Sequence, residues 1–228
     1  MTMPDLIIFD CDGVLVDSEP LAMRVLIAAI AAQGIDIDPA MAFRDYLGRS
    51  LFSISASLRD SHGMPLGPPA LQSMRNDLYA LYRRELQPTQ GIAETLAGLS
   101  IPFCVASSSQ PERIQLSLEL TGLLPYFGRH IFSASMVEHG KPAPDLFLHA
   151  ARQMGVAPER CLVIEDSPAG IQAARAAGMA VFGYIGGSHI VPSGLRPVIE
   201  ALQPDAVFDD MHALPDLVGS LRTEKKAL

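Results

Sequence analysis

Apolar and polar positions follow two rhythms along this chain. Residues 6–9 (Leu-Ile-Ile-Phe) form an apolar run with no polar alternation, the pattern of a strand buried on both faces. Similar runs at residues 101–106, 161–164 and 179–182 predict further strands, and 206–208 a weaker fifth. Between them, helical spacing of apolar residues predicts helices near 91–99, 111–121, 144–154 and 168–177. Ser109 followed by Glu112 has capping-box spacing, and Ser167 before Pro168 reads as an N-cap with proline at the first helical position. Gly122, Gly155 and Gly178 stand where helix C-caps are expected. Strands alternating with helices predict an α/β fold, a Rossmann-like parallel sheet covered by helices.

One region breaks the alternation. Residues 20–86 show helical periodicity and no convincing strand, with helices expected near 20–33, 40–60 and 68–86 and a breaker-rich loop at 63–69. A helical block after the first strand predicts a small inserted domain; the plainer alternative is that these helices cover the sheet. The division is then 1–16 and 87–228 for a discontinuous core, with 17–86 as an α-helical cap.

Composition narrows the function. The chain has 228 residues, 17 Lys and Arg against 25 Asp and Glu, and a formal net charge of −8. That balance gives no general footprint for nucleic acid and opposes an anionic membrane. The apolar run at 25–32 is far short of the ~20 residues that cross a bilayer. The first residues lack a basic signal-peptide region, and three cysteines without metal-ligand spacing read as reduced buried thiols. A cytoplasmic protein is expected, monomeric or weakly dimeric.

In parallel α/β sheets, ligands bind outside the carboxyl ends of the strands. Four polar features fall there: Asp10 and Asp12; Ser107, Ser108 and Ser109; Lys141 between Gly140 and Pro142; and Glu165 with Asp166. Residues two apart in extended chain point the same way, so Asp10 and Asp12 can face one pocket. Hard oxygen donors without a His or Cys cluster indicate Mg²⁺ rather than zinc. The plainer reading of Asp12-Gly13 is turn chemistry. Ser107 and Ser108 suit an anion at a helix start, whereas Ser109 is assigned to the capping box. Lys141, stiffened by Pro142 and Pro144, would hold a phosphate and balance the acids; a solvated lysine is its alternative.

Together these residues resemble the haloacid dehalogenase superfamily. The likeness is carried by Phe9-Asp10-Cys11-Asp12-Gly13-Val14-Leu15-Val16-Asp17-Ser18-Glu19, Val105-Ala106-Ser107-Ser108, Lys141-Pro142-Ala143-Pro144-Asp145 and Ile164-Glu165-Asp166-Ser167. The helical block resembles the small cap of the β-phosphoglucomutase-like subgroup. The resemblance implies that Asp10 is a nucleophile and Asp12 the general acid and base. Ser107, Ser108 and Lys141 would bind the phosphoryl group. Asp10, the Asp12 carbonyl and Asp166 would hold Mg²⁺, with Glu165 close by or ligating through water.

An acid at Asp12 disfavours carbon–halogen cleavage. Ala22, where the subgroup's mutases carry a histidine, favours net hydrolysis over a sugar phosphomutase. The expected activity is hydrolysis of a small phosphorylated metabolite, with a catalytically idle binding protein as the alternative from another class. Arg49, in Gly48-Arg49-Ser50, is the candidate substrate contact, and Arg24, Arg44 and His62 are further positions where specificity could reside. Hinges are expected at 16–19 and 86–89. The loop 186–189 could border the site, but the plainer reading is a surface loop, and no motif stands behind His189.

Overall fold

The computed structural model describes residues 3–47, 51–63 and 66–221. Six parallel strands form one sheet: β1 (Leu6–Phe9), β2 (Phe103–Ser107), β3 (Ile131–Ser133), β4 (Cys161–Glu165), β5 (Ala180–Tyr184) and β6 (Ala206–Phe208). Their spatial order is β3-β2-β1-β4-β5-β6. Phe9 pairs with Val105 on one side and Ile164 on the other. Ile7, Phe9, Val105, Leu162 and Ile164 enter one apolar cluster, and Leu6, Ile8, Cys104, Ala106, Cys161 and Val163 enter another. Alternate residues therefore feed opposite faces, the physical reason for the unbroken apolar runs. The fold is Rossmann-like α/β.

Four helices follow β1: α1 (Glu19–Ala31), α2 (Pro39–Tyr46), α3 (Leu51–His62) and α4 (Pro68–Glu85). The helix expected over 40–60 is two helices, and residues 48–50 between them lie outside the described set. Met23, Leu26, Ile30, Ile54, Leu58 and Met74 gather into a third apolar cluster, distinct from the two against the sheet. The two chain crossings into this block pair with each other. The Asp17 amide donates to the Gln87 carbonyl at 3.0 Å, and the Thr89 amide to the Leu15 carbonyl at 3.0 Å.

The remaining helices are α5 (Ile92–Gly98), α6 (Pro111–Leu120), α7 (Leu124–Phe127), α8 (Asp145–Met154), α9 (Pro168–Ala176), α10 (Ile190–Ser193), α11 (Leu195–Ala201) and α12 (Leu214–Ser220). Ser167 caps α9, its hydroxyl accepting from the Gly170 amide at 3.1 Å. The Ser109–Glu112 capping box does not form. Gln110 is the N-cap residue of α6, and the Ser109 hydroxyl turns to another partner, Asp12. Strand β3 lies outside the expected strands: its three residues hold only two apolar positions, Ile131 and Phe132, before Ser133. The three cysteines are free and buried.

Candidate active site

The strand order reverses at β1: the chain runs outward through β2 and β3, then returns to place β4 on the other side. Such a switch point opens a crevice at the carboxyl ends of the strands. Asp10 leaves β1 there, Ser107 ends β2, and Glu165 and Asp166 leave β4. Lys141 reaches the same crevice from the turn before α8. Its Nζ lies 2.5 Å from Asp10 Oδ1 and 2.6 Å from Glu165 Oε1. The lysine side chain is 4% exposed, and its ammonium sits 4.9 Å from the centre of the Phe147 ring. Burial pushes its pKa down, but Asp10 and Glu165 more than offset this and hold it above its usual value. A solvated-lysine reading does not survive these contacts.

Glu165 has no free oxygen. While Oε1 takes Lys141, Oε2 accepts from the Asp166 amide at 2.9 Å, the Ser167 amide at 2.8 Å and the Ser167 hydroxyl at 2.9 Å. A Cβ at Gly170 would stand 1.8 Å from Glu165 Oε1, so only glycine lets α9 approach this carboxylate. Glu165 thus ties Lys141 to the start of α9.

Asp12 faces a different set of donors. Its Oδ1 accepts from the Ser18 hydroxyl at 2.6 Å and from Arg113 at 2.8 Å, and its Oδ2 from the Ser109 hydroxyl at 2.6 Å. Burial raises the Asp12 pKa, but Arg113 and the two hydroxyls outweigh it and leave it below the ordinary value. Asp10 behaves oppositely. Burial pushes its carboxyl well up, Lys141 pulls it back, and Glu165, Asp166 and Asp12 push it up again. Asp166 is likewise raised by burial, against the pull of His189.

Ser107 is 1% exposed, and its hydroxyl accepts from the Ser109 amide at 3.1 Å, while Ser108 is exposed. Arg49 lies outside the described residues. Arg24 and Arg44 pair with Glu85 and Asp45.

Several residues at the site were not singled out by pattern. Arg113 carried a signal, because a cation in the first turn of a helix opposes the dipole and needs an acidic partner. His189 carried none. Far from plain surface, it is 1% exposed, and its Nε2 lies 3.0 Å from Asp166 Oδ2. Glu19, at the start of α1, has its carboxyl raised to about 7 by burial, reinforced by Asp12.

A hard divalent cation fits the donor chemistry. Asp10 and Asp166 are buried acids crowded with Glu165 and held against their preference for the neutral form. Among the described residues no three His, Cys, Asp or Glu side chains are gathered around one point. Lys141 and His189 occupy one oxygen each of Asp10 and Asp166. A set of two carboxylates and a backbone carbonyl supplies too few side chains to form such a group. Gly13, at φ +82°, brings this loop against Asp166; a Cβ there would lie 1.8 Å from Oδ2.

Comparison with known proteins gives the family and the overall fold. Residues 4–178 match the model of the haloacid dehalogenase-like hydrolases. The 6-phosphogluconate phosphatase of Escherichia coli is 33% identical over 95% of this chain and 96% of its own. A haloacid dehalogenase-like protein from Agrobacterium tumefaciens superposes with a TM-score of 0.82 at 35% identity, over 95% of this chain and 98% of that one. A hydrolase of the same family from Deinococcus radiodurans, crystallised with phosphate and sodium, gives 0.79 at 32% identity over 97% of both chains.

Proposed function

The chain belongs to the haloacid dehalogenase-like hydrolase family, and on that premise we propose that it is a Mg²⁺-dependent phosphatase of small phosphorylated metabolites, acting through an aspartyl-phosphate. The observation that carries the reading is Lys141, buried and bridging Asp10 and Glu165 at the topological switch point. A buried ammonium held against the nucleophilic carboxylate suits a reaction in which an anionic nucleophile meets an anionic substrate.

Asp10 attacks phosphorus, forming the new P–O bond as the bond to the leaving alcohol breaks. Asp12, which enters this step as the protonated acid with one of its hydrogen-bond donors released, gives that alcohol oxygen its proton. Asp12 then takes a proton from water as the water attacks phosphorus. The bond to Asp10 breaks, inorganic phosphate leaves, Asp10 is again a carboxylate, and Asp12 is again the protonated acid. Ser107, Ser108 and Lys141 hold the phosphoryl oxygens. Asp10, Asp166 and the Asp12 carbonyl would hold Mg²⁺, with Glu165 close by and its oxygens taken by Lys141 and the start of α9; the ion would neutralise charge on the transferring group. Residues 17–86 serve as a cap over a core of 1–16 and 87–228, excluding bulk water from a weak nucleophile. The separate apolar cluster of that block supports the division.

The substrate class is a sugar or sugar-acid phosphate, as the name of the Escherichia coli relative suggests for that enzyme. Buried free thiols fit a reducing cytoplasm, and no described helix is long and apolar enough to cross a membrane. The test is a panel of phosphorylated metabolites assayed for Mg²⁺-dependent phosphate release, with chelated enzyme as control. Isomerised sugar phosphate without free phosphate would make the protein a mutase instead. No turnover of any phosphomonoester would overturn the reading.

A further inference from the structure

Arg113 stands in the first turn of α6, where unpaired backbone N–H groups already concentrate positive charge. A guanidinium is unfavourable there unless a carboxylate answers it. The carboxylate is Asp12, 2.8 Å away across 101 residues of chain. The Arg113 side chain is only 23% exposed, and that of Asp12 12%. The guanidinium carbon also lies 5.6 Å from the centre of the Tyr82 ring. Tyr82 belongs to α4 of the helical block and is 1% exposed. One side of the cation therefore rests on the block that follows β1, while its edge grips Asp12.

Two features argue against simple packing. Arg113 Nε is buried without a hydrogen-bond partner among the described residues. Such a group costs stability, and an apolar side chain could fill the same space without that cost. Both Asp12 oxygens are also saturated in this arrangement, so delivery of a proton requires one contact to yield. The Ser18 and Ser109 hydroxyls can each release the carboxylate by turning about a single Cα–Cβ bond. The Arg113 guanidinium is planar and seated on an aromatic face, so its N–H bond to Oδ1 anchors that oxygen and limits how the carboxylate can turn.

Resting on the assignment of Asp12 as acid and base, we propose that Arg113 is a positioning residue: seated on Tyr82, it fixes the orientation of the Asp12 carboxylate. The contact of α4 with α6 then sets the aim of the proton donor. Only steps in which Asp12 moves a proton depend on Arg113. Attack by Asp10 and binding of the phosphoryl group do not.

Leaving-group chemistry separates this role from a structural one. An alkyl phosphate such as a sugar-acid phosphate needs a proton on its departing oxygen, whereas 4-nitrophenyl phosphate releases a stable phenolate without one. The comparison uses kcat/KM, which reports events through transfer to Asp10. Arg113→Met is expected to lower kcat/KM for the alkyl substrate about 10- to 100-fold, and for the aryl substrate less than about threefold. In an Asp12→Asn background the same substitution should add less than about twofold. Arg113→Lys keeps the charge but loses the planar group seated on Tyr82, and should show the same substrate pattern at smaller size. It also answers the question if Arg113→Met does not fold. Equal losses on both substrates in every folded variant, or full additivity with Asp12→Asn, would overturn the positioning role. A wild-type enzyme inactive on both substrates and on the metabolite panel would overturn the phosphatase reading itself, before any variant is made.

Discussion

Replacing Glu165 by Gln keeps the shape of the side chain and removes one acceptor. In the native site Oε1 meets the Lys141 ammonium at 2.6 Å, and Oε2 accepts from two backbone amides and one hydroxyl within 2.9 Å. The amide of Gln can serve only one of these ends. If its NH₂ group faces Lys141, a donor meets a buried cation that retains only Asp10 as a counter-charge. If the NH₂ group faces α9, the amides of Asp166 and Ser167 lose their acceptor. The first outcome breaks one side of a buried ion pair, worth about 3–5 kcal/mol. The second orphans two buried N–H groups at about 1–3 kcal/mol each. Both routes converge near 4 kcal/mol, because Glu165 is fully buried and water cannot substitute. For a chain of this size each kcal/mol moves Tm by about 2–4 °C, so Glu165→Gln should lower Tm by about 8–16 °C. Thermal unfolding of chelated wild type and variant, followed by circular dichroism, reads the difference. A Tm within about 3 °C of wild type would refute the claim that Glu165 joins Lys141 to α9. Reduced Mg²⁺ affinity without that Tm loss would assign it to the metal instead.

Other consequences follow from the same geometry. Asp10→Asn should abolish phosphate release, and retained turnover would remove Asp10 as nucleophile. Asp12→Asn should lower kcat for an alkyl phosphate by about 10²–10⁴ while the fold persists, as steady-state kinetics and circular dichroism together would report. Gly13→Ala should destabilise the protein and impair Mg²⁺ binding, measured by calorimetry, because its Cβ would collide with the Asp166 carboxylate. Glu19 supplies a pH dependence. Burial and the neighbouring Asp12 raise its carboxyl from 4.5 unfolded to about 7 folded, so the folded state binds the proton more tightly. Its contribution is fully present below pH 4.5 and is lost as pH rises through about 7. Glu19→Gln should therefore gain on wild type by roughly 3 kcal/mol across that window in urea unfolding of the chelated protein. Parallel stability curves for the two proteins would contradict this.

Apolar patterning along the chain was enough to specify the sheet and the strand-end chemistry. Strands buried on both faces must read as unbroken apolar runs, so β1, β2, β4 and β5 were visible along the chain. A parallel sheet sends its ligands to the carboxyl ends, which brought Asp10, Ser107 and Asp166 to one edge, and the placing of Lys141 before α8 led to the same crevice. The fold class and the family follow from those local patterns and their order. Partners separated by long stretches of chain were decided only by the tertiary structure. Arg113 meets Asp12 across 101 residues, and Ser109 does so across 97. Ser109 left its expected capping box for this reason: a buried carboxylate facing an unfavourable environment outbids one exposed helix amide for a hydroxyl. His189 lies in a loop with no motif, yet the turn after β5 returns it to Asp166 at the next strand. Spacing along a chain encodes which face a residue takes, whereas pairing of charges depends on which faces the folded layers bring together.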